Sequence, residues 1–327
     1  MSEDSAVTSA AATADPQPIV GPAVAFLGPR GTFSEVAAAR LTGNFASAQV
    51  PIESIINVIG AISTGSVFGG GQKIDAGVVP IENSTEGSVG ATLDTLVDHP
   101  DLVITAELDL PIEQLLVARS DLPLDQIEQV YSHPQGIAQT RRFLAEHLPS
   151  AGVVPISSTS RAVELVCQSD APWAAIGSRG AAEIYGATIL RDDIQEQVNV
   201  TRFVLVERRD APLGHAPGGQ VGGDADPEQR RRSDDSPAMK TTLFFEGAGD
   251  GSPGWLVRCL SEFAFRGVNL SKIESRPLRG QLGHYRFFLD LEGAAESDES
   301  TAAIDGLRHH CDLVRILGSY PVAADPV

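Results

Sequence analysis

The sequence predicts an α/β fold in two parts: a larger α/β region over residues 22–206, then a ferredoxin-like βαββαβ domain over residues 239–322. Three observations carry this. Short apolar runs alternate with helical periodicity as far as Val206. The next stretch, Glu207 to Ala238, reads ERRDAPLGHAPGGQVGGDADPEQRRRSDDSPA; dense in Gly, Pro and charge and without apolar period, it predicts a flexible linker over 207–238. Beyond it, alternating strands bracket two amphipathic helices.

In order, Ala23–Leu27 (AVAFL) predicts a strand, followed by the turn Gly28-Pro-Arg-Gly31 and a helix from Ser34. Ser63–Gly71 (STGSVFGGG) predicts a surface loop. Ile74–Ile81 (IDAGVVPI) predicts a strand, with a helix near Val89–Val97. Gln129–Ser132 ends a strand and Ile137–His147 reads as one helix. Ala174–Gly177 is a strand before a helix at Arg179–Tyr185. The region exceeds what one small sheet needs, which points to two lobes with a cleft between them. After the linker, Lys240–Glu246 alternates as a strand, and Pro253–Arg266 places Leu256, Leu260 and Phe263 on one helical face before Gly267 stops it. Val268–Ser275, His284–Leu291 and Leu313–Ser319 are strands, and Ser300–His310 is a helix. So small a sheet exposes an edge or a face, which invites pairing with a second copy.

Composition narrows the function. Across 327 residues the formal net charge is −19, which argues against wrapping nucleic acid or binding an anionic membrane. Cys167, Cys259 and Cys311 are widely spaced and odd in number, with no CxxC pair or Cys/His cluster. Neither a metal site nor a disulfide framework is expected. The first 18 residues, MSEDSAVTSAAATADPQP, lack a basic start and a continuous apolar core, so residues 1–21 are expected to be a disordered tail and not a signal peptide. No run is long and apolar enough to cross a bilayer, and the expected location is the cytoplasm.

The chemistry concentrates at strand ends. In QVNVTRFVLV, residues 197–206, the side-chain period of two puts Asn199, Thr201, Phe203 and Leu205 on one face and Arg202 on the other. Val79–Ser88 (VPIENSTEGS) ends a strand with Glu82, Asn83, Ser84 and Thr85 in series, more polar groups than one helix cap needs. Free N–H groups at such a helix start bind carboxylates. Gly28–Ser34 repeats the theme and is not a GxGxxG dinucleotide turn. Ser132-His-Pro-Gln135 and Ser157-Ser-Thr-Ser160 repeat it again. Several such ends from one α/β region converge on a cleft.

These stretches resemble the prephenate dehydratases, in their monofunctional bacterial form with a C-terminal ACT regulatory domain. The residues that carry the resemblance are FLGPRGTFSE, VVPIENSTEGSV, SHPQGIAQT, NVTRF, ESRP (Glu274–Pro277) and HYRFFLDLEG. The resemblance implies a two-lobed, periplasmic-binding-protein-like catalytic domain that converts prephenate to phenylpyruvate, water and carbon dioxide without a cofactor. It implies that Thr201, the Thr of TRF, is the residue essential for activity. It places Glu82, Asn83, Ser132, His133 and Gln135 on motifs lining the cleft. Arg30, Thr32, Ser84, Thr159, Arg202 and Phe203 complete the candidates for substrate contact, with Arg202 or Arg30 expected at the pyruvyl carboxylate or in the scaffold. ACT domains pair side by side and bind amino acids at the seam, so the resemblance further implies L-phenylalanine as effector and a homodimer or homotetramer. Its candidate contacts are Gly254, Trp255, Leu256, Asn269, Glu274 and Ser275. Family members usually read PGAL where this chain reads Pro253-Gly-Trp-Leu256, which puts an indole near the expected effector pocket, or packs it outward or at the dimer seam. Two other activities stay open here: an arogenate dehydratase, and a non-catalytic amino-acid sensor.

Overall fold

The computed structural model describes residues 21–43, 48–67, 71–213, 237–247, 251–278 and 283–323. The expected tail and the linker from residue 214 to 236 lie outside the described residues.

The chain opens with β1 (Ala23–Leu27), α1 (Phe33–Thr42), β2 (Ala48–Ile52), α2 (Ile55–Thr64), β3 (Ala76–Asn83), the two-residue β4 (Gly87–Ser88), α3 (Gly90–Asp98) and β5 (Leu102–Pro111). A second run follows: β6 (Leu115–Ala118), β7 (Gln129–Ser132), α4 (Pro134–Gln139), α5 (Arg141–His147), β8 (Gly152–Pro155), α6 (Thr159–Cys167), β9 (Trp173–Gly177), α7 (Arg179–Tyr185) and β10 (Thr188–Arg191). The chain then returns through β11 (Val200–Arg208). The last unit is β12 (Met239–Glu246), α8 (Trp255–Ala264), β13 (Leu270–Pro277), β14 (Tyr285–Glu292), α9 (Asp298–Arg308) and β15 (Leu313–Pro321).

Two sheets result. The larger has ten strands, ordered β13-β14-β12-β15-β5-β11-β3-β1-β2 with β4 on β3; the smaller has five, ordered β10-β6-β9-β7-β8. Within each, β1–β2, β1–β3, β7–β8 and β7–β9 are parallel, so helices cross over the faces. The chain leaves the larger sheet after β5 and re-enters at β11. These two strands pair antiparallel from Arg208↔Leu102 to Val200↔Pro111, and Ile112 N donates to Asn199 O at 2.8 Å where both leave the sheet. The two crossings are therefore neighbours, and the chain passes between the sheets through one paired seam.

The C-terminal unit continues the larger sheet. β15 pairs with β5 at Gly318↔Ile104, and a Cβ at residue 318 would overlap the Ile104 carbonyl oxygen, so the approach requires glycine. Alternation along β12 divides its side chains. Phe244 joins Phe288, Leu317 and Tyr320 in the core shared with Ile62, Leu93 and Val204, while Leu243 and Phe245 pack under α8 and α9 with Cys259 and Phe263. Each fully buried phenylalanine contributes about 1.5–3 kcal/mol, which fixes the C-terminal unit against the rest.

Three expectations change. Ser63 and Thr64 form the last turn of α2, not a loop; the helix begins at the Ser54 cap, whose Oγ accepts from Asn57 N at 3.2 Å, and stops at Gly65 with φ +74°. The single helix expected over Ile137–His147 is two, broken at Thr140, whose Oγ1 bonds back to Gly136 O at 2.8 Å. β5 was not expected: Glu107 and Asp109 interrupt its apolar run, and both are paired by cations of distant elements.

Candidate active site

A cleft of about 290 Å³ opens between the two sheets. Leu27, Thr32, Phe33, Glu53 and Asn83 approach from the larger sheet's side; His133, Gln135, Gln139, Ser158 and Thr159 approach from the smaller. Ile112, Gln114, Asn199 and Thr201 come from the seam between them.

Thr201 is the second residue of β11, in register with Asn83 at the end of β3. Both side chains face the cleft, 9% and 7% exposed. Asn83 Nδ2 donates to Thr201 Oγ1 at 2.8 Å and to Asn199 Oδ1 at 2.7 Å, while its Oδ1 accepts from Thr85 N and Glu86 N at 3.0 and 3.1 Å. The Asn83 amide is thereby fully committed and cannot turn over. Thr201 Oγ1 receives one hydrogen bond and keeps its own proton for whatever enters the cleft.

Helix starts supply the other donors. Thr32 precedes α1, and its Oγ1 donates to Leu27 O at 3.1 Å, so it does not cap the helix. Ser158 caps α6 by accepting from Arg161 N at 3.0 Å, one turn in. The first N–H groups of both helices are left for a ligand. His133 caps α4, its Nδ1 accepting from Gln135 N at 3.3 Å, so Nε2 carries the proton of the neutral ring. Among the described residues no Arg or Lys lines the cleft. The Arg30–Gly31 turn also fastens the two sheets together. Ser178 Oγ donates to Gly31 O at 2.7 Å and Ser160 Oγ to Arg30 O. Gly31 has φ +78°, and a Cβ there would stand 2.9 Å from Ala181 Cα.

The expected substrate contacts divide by placement. Thr32, Asn83, His133, Gln135, Thr159 and Thr201 line the cleft. The rest do not, for identifiable reasons. Arg202 lies on the opposite face of β11, gripping Asp109 with Nε at 2.8 Å and Nη2 at 2.9 Å; Glu82 approaches its Nη1 at 3.3 Å. Asp109 above all, then Glu107 and Glu82, hold the guanidinium protonated well above its usual range, against the cost of burial. Arg30 is spent on Glu35 and Gln49 O. Ser132 is buried and donates to Ile176 O at 2.9 Å. Ser84 ties the turn to β11 by accepting from Val200 N at 2.9 Å, and Phe203 belongs to the core. Of the two places expected for these arginines, the pyruvyl carboxylate or the scaffold, both make scaffold contacts in this structure.

Sequence reasoning overlooked Gln114, Gln139, Glu53 and Asn199 as lining residues. Asn199 was legible, being two residues before Thr201 on the same strand face. Gln114 was not, because its strand seam was not foreseen.

At the C-terminal unit, Trp255 belongs to the buried core of that unit. It is 4% exposed, packs against Phe245 and Phe287, and its Nε1 donates to His310 O at 2.7 Å. Gly254 precedes it in the left-handed region with φ +75°, and Leu256 is half-buried against the same core. Asn269 Nδ2 donates to Glu292 Oε1 at 2.8 Å, Glu274 lies 3.8 Å from Arg276, and Ser275 is exposed on the edge strand β13.

Fold and site together define a class: an α/β protein of two sheets whose seam presents a hydroxyl donor and helix-start amides to a small polar ligand. Residues 24–211 match the family described as prephenate dehydratase, and the chain belongs to that family. The prephenate dehydratase of Lactococcus lactis is 36% identical over 304 residues, covering 91% of this chain and 97% of that protein. The solved structure of a prephenate dehydratase from Arthrobacter aurescens in complex with L-Phe is similar at TM-score 0.75 and 36% identity, covering 92% of this chain and 90% of that one. A third neighbour, described as GqqA, a novel type of quorum quenching acylase, has TM-score 0.75 at 27% identity, covering 93% of this chain and 98% of its own. One fold thus carries differently described activities, so activity has to be argued from the site.

Proposed function

We propose that the chain converts prephenate to phenylpyruvate, water and carbon dioxide, with Thr201 donating to the departing ring hydroxyl. The observation that supports this most directly is the Asn83–Thr201 hydrogen bond, which leaves the Thr201 proton directed at the cleft. In the reaction, electrons of the bond to the ring carboxylate move through the ring, carbon dioxide leaves, and the C–O bond to the hydroxyl breaks as it gains a proton. One proton is consumed overall. Hydroxide is a poor leaving group, so a donor that strengthens its bond as charge develops lowers the barrier. The first N–H groups of α1 and α6 suit the pyruvyl carboxylate. Leu27, Phe33 and Ile112 supply an apolar wall for the ring. A carboxylate about to leave as neutral carbon dioxide is better placed there than against an arginine, which would stabilise the reactant.

In this reading residues 22–208 are a two-lobed, periplasmic-binding-protein-like catalytic domain and 239–322 an ACT domain that binds phenylalanine; the linker between them starts later than the expected residue 207, because Glu207 and Arg208 still pair in β11. The order β12-α8-β13-β14-α9-β15 and the L-Phe complex of the Arthrobacter relative support the last assignment. The edge strand β13, with Ile273 half exposed, supports pairing of ACT domains in a dimer or tetramer. Mixing the full chain with prephenate and following phenylpyruvate absorbance tests the activity; absence of product overturns it. Competing arogenate against prephenate in that assay reads the substrate preference.

A further inference from the structure

We infer that Gln114 is a further substrate-contacting residue, whose side-chain oxygen accepts the hydrogen bond of the substrate's ring hydroxyl and turns that hydroxyl's oxygen toward Thr201. The inference rests on the prephenate dehydratase reading of the cleft.

Gln114 lies on the crossing from β5 to β6, three residues past the last β5 residue, and lines the cleft while only 4% exposed. Its backbone is anchored across the seam, with N donating to Gln195 Oε1 at 3.0 Å. Its Nε2 donates to Gln139 Oε1 at 3.3 Å. That leaves Gln114 Oε1 and Gln139 Nε2 buried without a protein partner, one acceptor and one donor on two residues of the cleft lining. Buried amide groups are rarely left unpaired in a folded protein, because the desolvation cost is then uncompensated. A pair of them lining a cleft is a site built to be completed by a ligand.

The donor–acceptor inventory says which group completes it. Ionised prephenate carries two carboxylates and a ketone, all acceptors; its one O–H is the ring hydroxyl. Of the substrate's own groups, that one alone can donate to an unpaired acceptor at the wall. The hydroxyl then stands between two oriented partners: it gives its proton to Gln114 Oε1 and offers its oxygen to Thr201, whose own acceptor position Asn83 occupies. The chain Asn83 to Thr201 to hydroxyl to Gln114 runs in one direction, so each bond polarises the next. Phenylpyruvate in its keto form has no hydroxyl, so Gln114 favours substrate over product.

The test is steady-state kinetics of the full chain and its Gln114→Leu and Gln114→Glu variants, with phenylpyruvate as product inhibitor. Gln114→Leu is expected to lower kcat/KM for prephenate about 10–100-fold, the worth of one lost buried hydrogen bond, and to leave inhibition by phenylpyruvate unchanged. Gln114→Glu, which keeps an acceptor, is expected to lose less than Gln114→Leu. Equal weakening of substrate and product by Gln114→Leu, or a Glu variant as poor as the Leu variant, overturns the inference. An active wild-type chain whose Gln114→Leu variant is unaltered overturns Gln114 alone; a wild-type chain that leaves prephenate untouched overturns the cleft reading with it.

Discussion

Asn83 Nδ2 stands 2.8 Å from Thr201 Oγ1 across the paired ends of β3 and β11, and its second proton goes to Asn199. The direction of that bond decides what Thr201 can do, because a hydroxyl that already accepts from an amide is left as a donor. Thr201→Val should lower turnover about 10²–10⁴-fold, the worth of a positioned proton donor, while thermal unfolding stays near wild type; Thr201→Ser should keep part of the rate. Asn83→Asp reverses the relationship, since a carboxylate would take the Thr201 proton for itself. Its turnover should fall as far as that of Thr201→Val, and the double variant should fall no further, as for residues acting as one unit. Additive losses in that cycle would show that the two act separately.

How much of this was legible before the fold is clear at Thr201 and Arg202. Their alternation on one strand placed them on opposite faces, as the structure has them. Periodicity cannot say what each face meets. The face of Arg202 meets the C-terminal unit: Lys240 reaches Glu107 at 2.7 and 2.8 Å and Lys272 reaches Glu82 at 3.5 Å. Contacts between residues more than a hundred positions apart leave no local trace, so Glu82 and Arg202 read as cleft residues from motif position alone. Gln114 and Gln139, though only 25 positions apart, escaped because each needs the seam and α4 to be brought together.

The Lys240–Glu107 pair sets a stability prediction. The Glu107 side chain is fully buried, and Lys240 is nearly so. Arg202 Nε, at 3.5 Å from Glu107, is already engaged by Asp109. Lys240→Met should therefore destabilise the chain by about 3–5 kcal/mol, the cost of stranding a buried charge. Replacing both partners, Lys240→Met with Glu107→Leu, should recover much of that. Denaturant unfolding of the two variants measures the difference.

Trp255 yields a second. Its indole fills the core between Phe245 and Phe287 and its N–H holds the His310 carbonyl. Trp255→Ala should cost about 3–5 kcal/mol, as for other buried aromatic truncations, and lower the melting temperature whether or not phenylalanine is present. A variant that melts like wild type would mean the indole is not in this core.

Asp75 gives the pH dependence. Burial alone would raise its pKa, but hydrogen bonds from Lys73 Nζ and Ala23 N, with the charges of Lys73 and Arg208, outweigh burial and hold it below its ordinary value near 3.8. The folded pKa is depressed, so the carboxylate stabilises the fold above its unfolded pKa, and that contribution is lost as pH falls through the folded one. Asp75→Asn should be less stable than wild type at neutral pH, and the gap should close below about pH 4. A gap that is constant with pH, read from unfolding at several values, would remove the carboxylate's charge from the explanation.

The last prediction concerns coupling between the two units. Arg276 of β13 grips Asp94 of α3 through Nε at 2.6 Å and Nη2 at 2.9 Å, and Lys272 on the same strand approaches Glu82, which in turn approaches Arg202 beside Thr201. β13 is thus one element through which a ligand at the C-terminal unit can favour one arrangement of the β3–β11 seam over another. Coupling of this kind is typically worth about 1–3 kcal/mol. Arg276→Gln and Lys272→Met together should leave turnover of prephenate without phenylalanine near wild type. They should weaken inhibition by phenylalanine about 5-fold or more, by that same coupling range. Binding of phenylalanine itself, measured by calorimetry, should persist. Inhibition unchanged in the double variant would place the route elsewhere, and binding lost along with inhibition would make these two residues part of the effector site instead of the path from it.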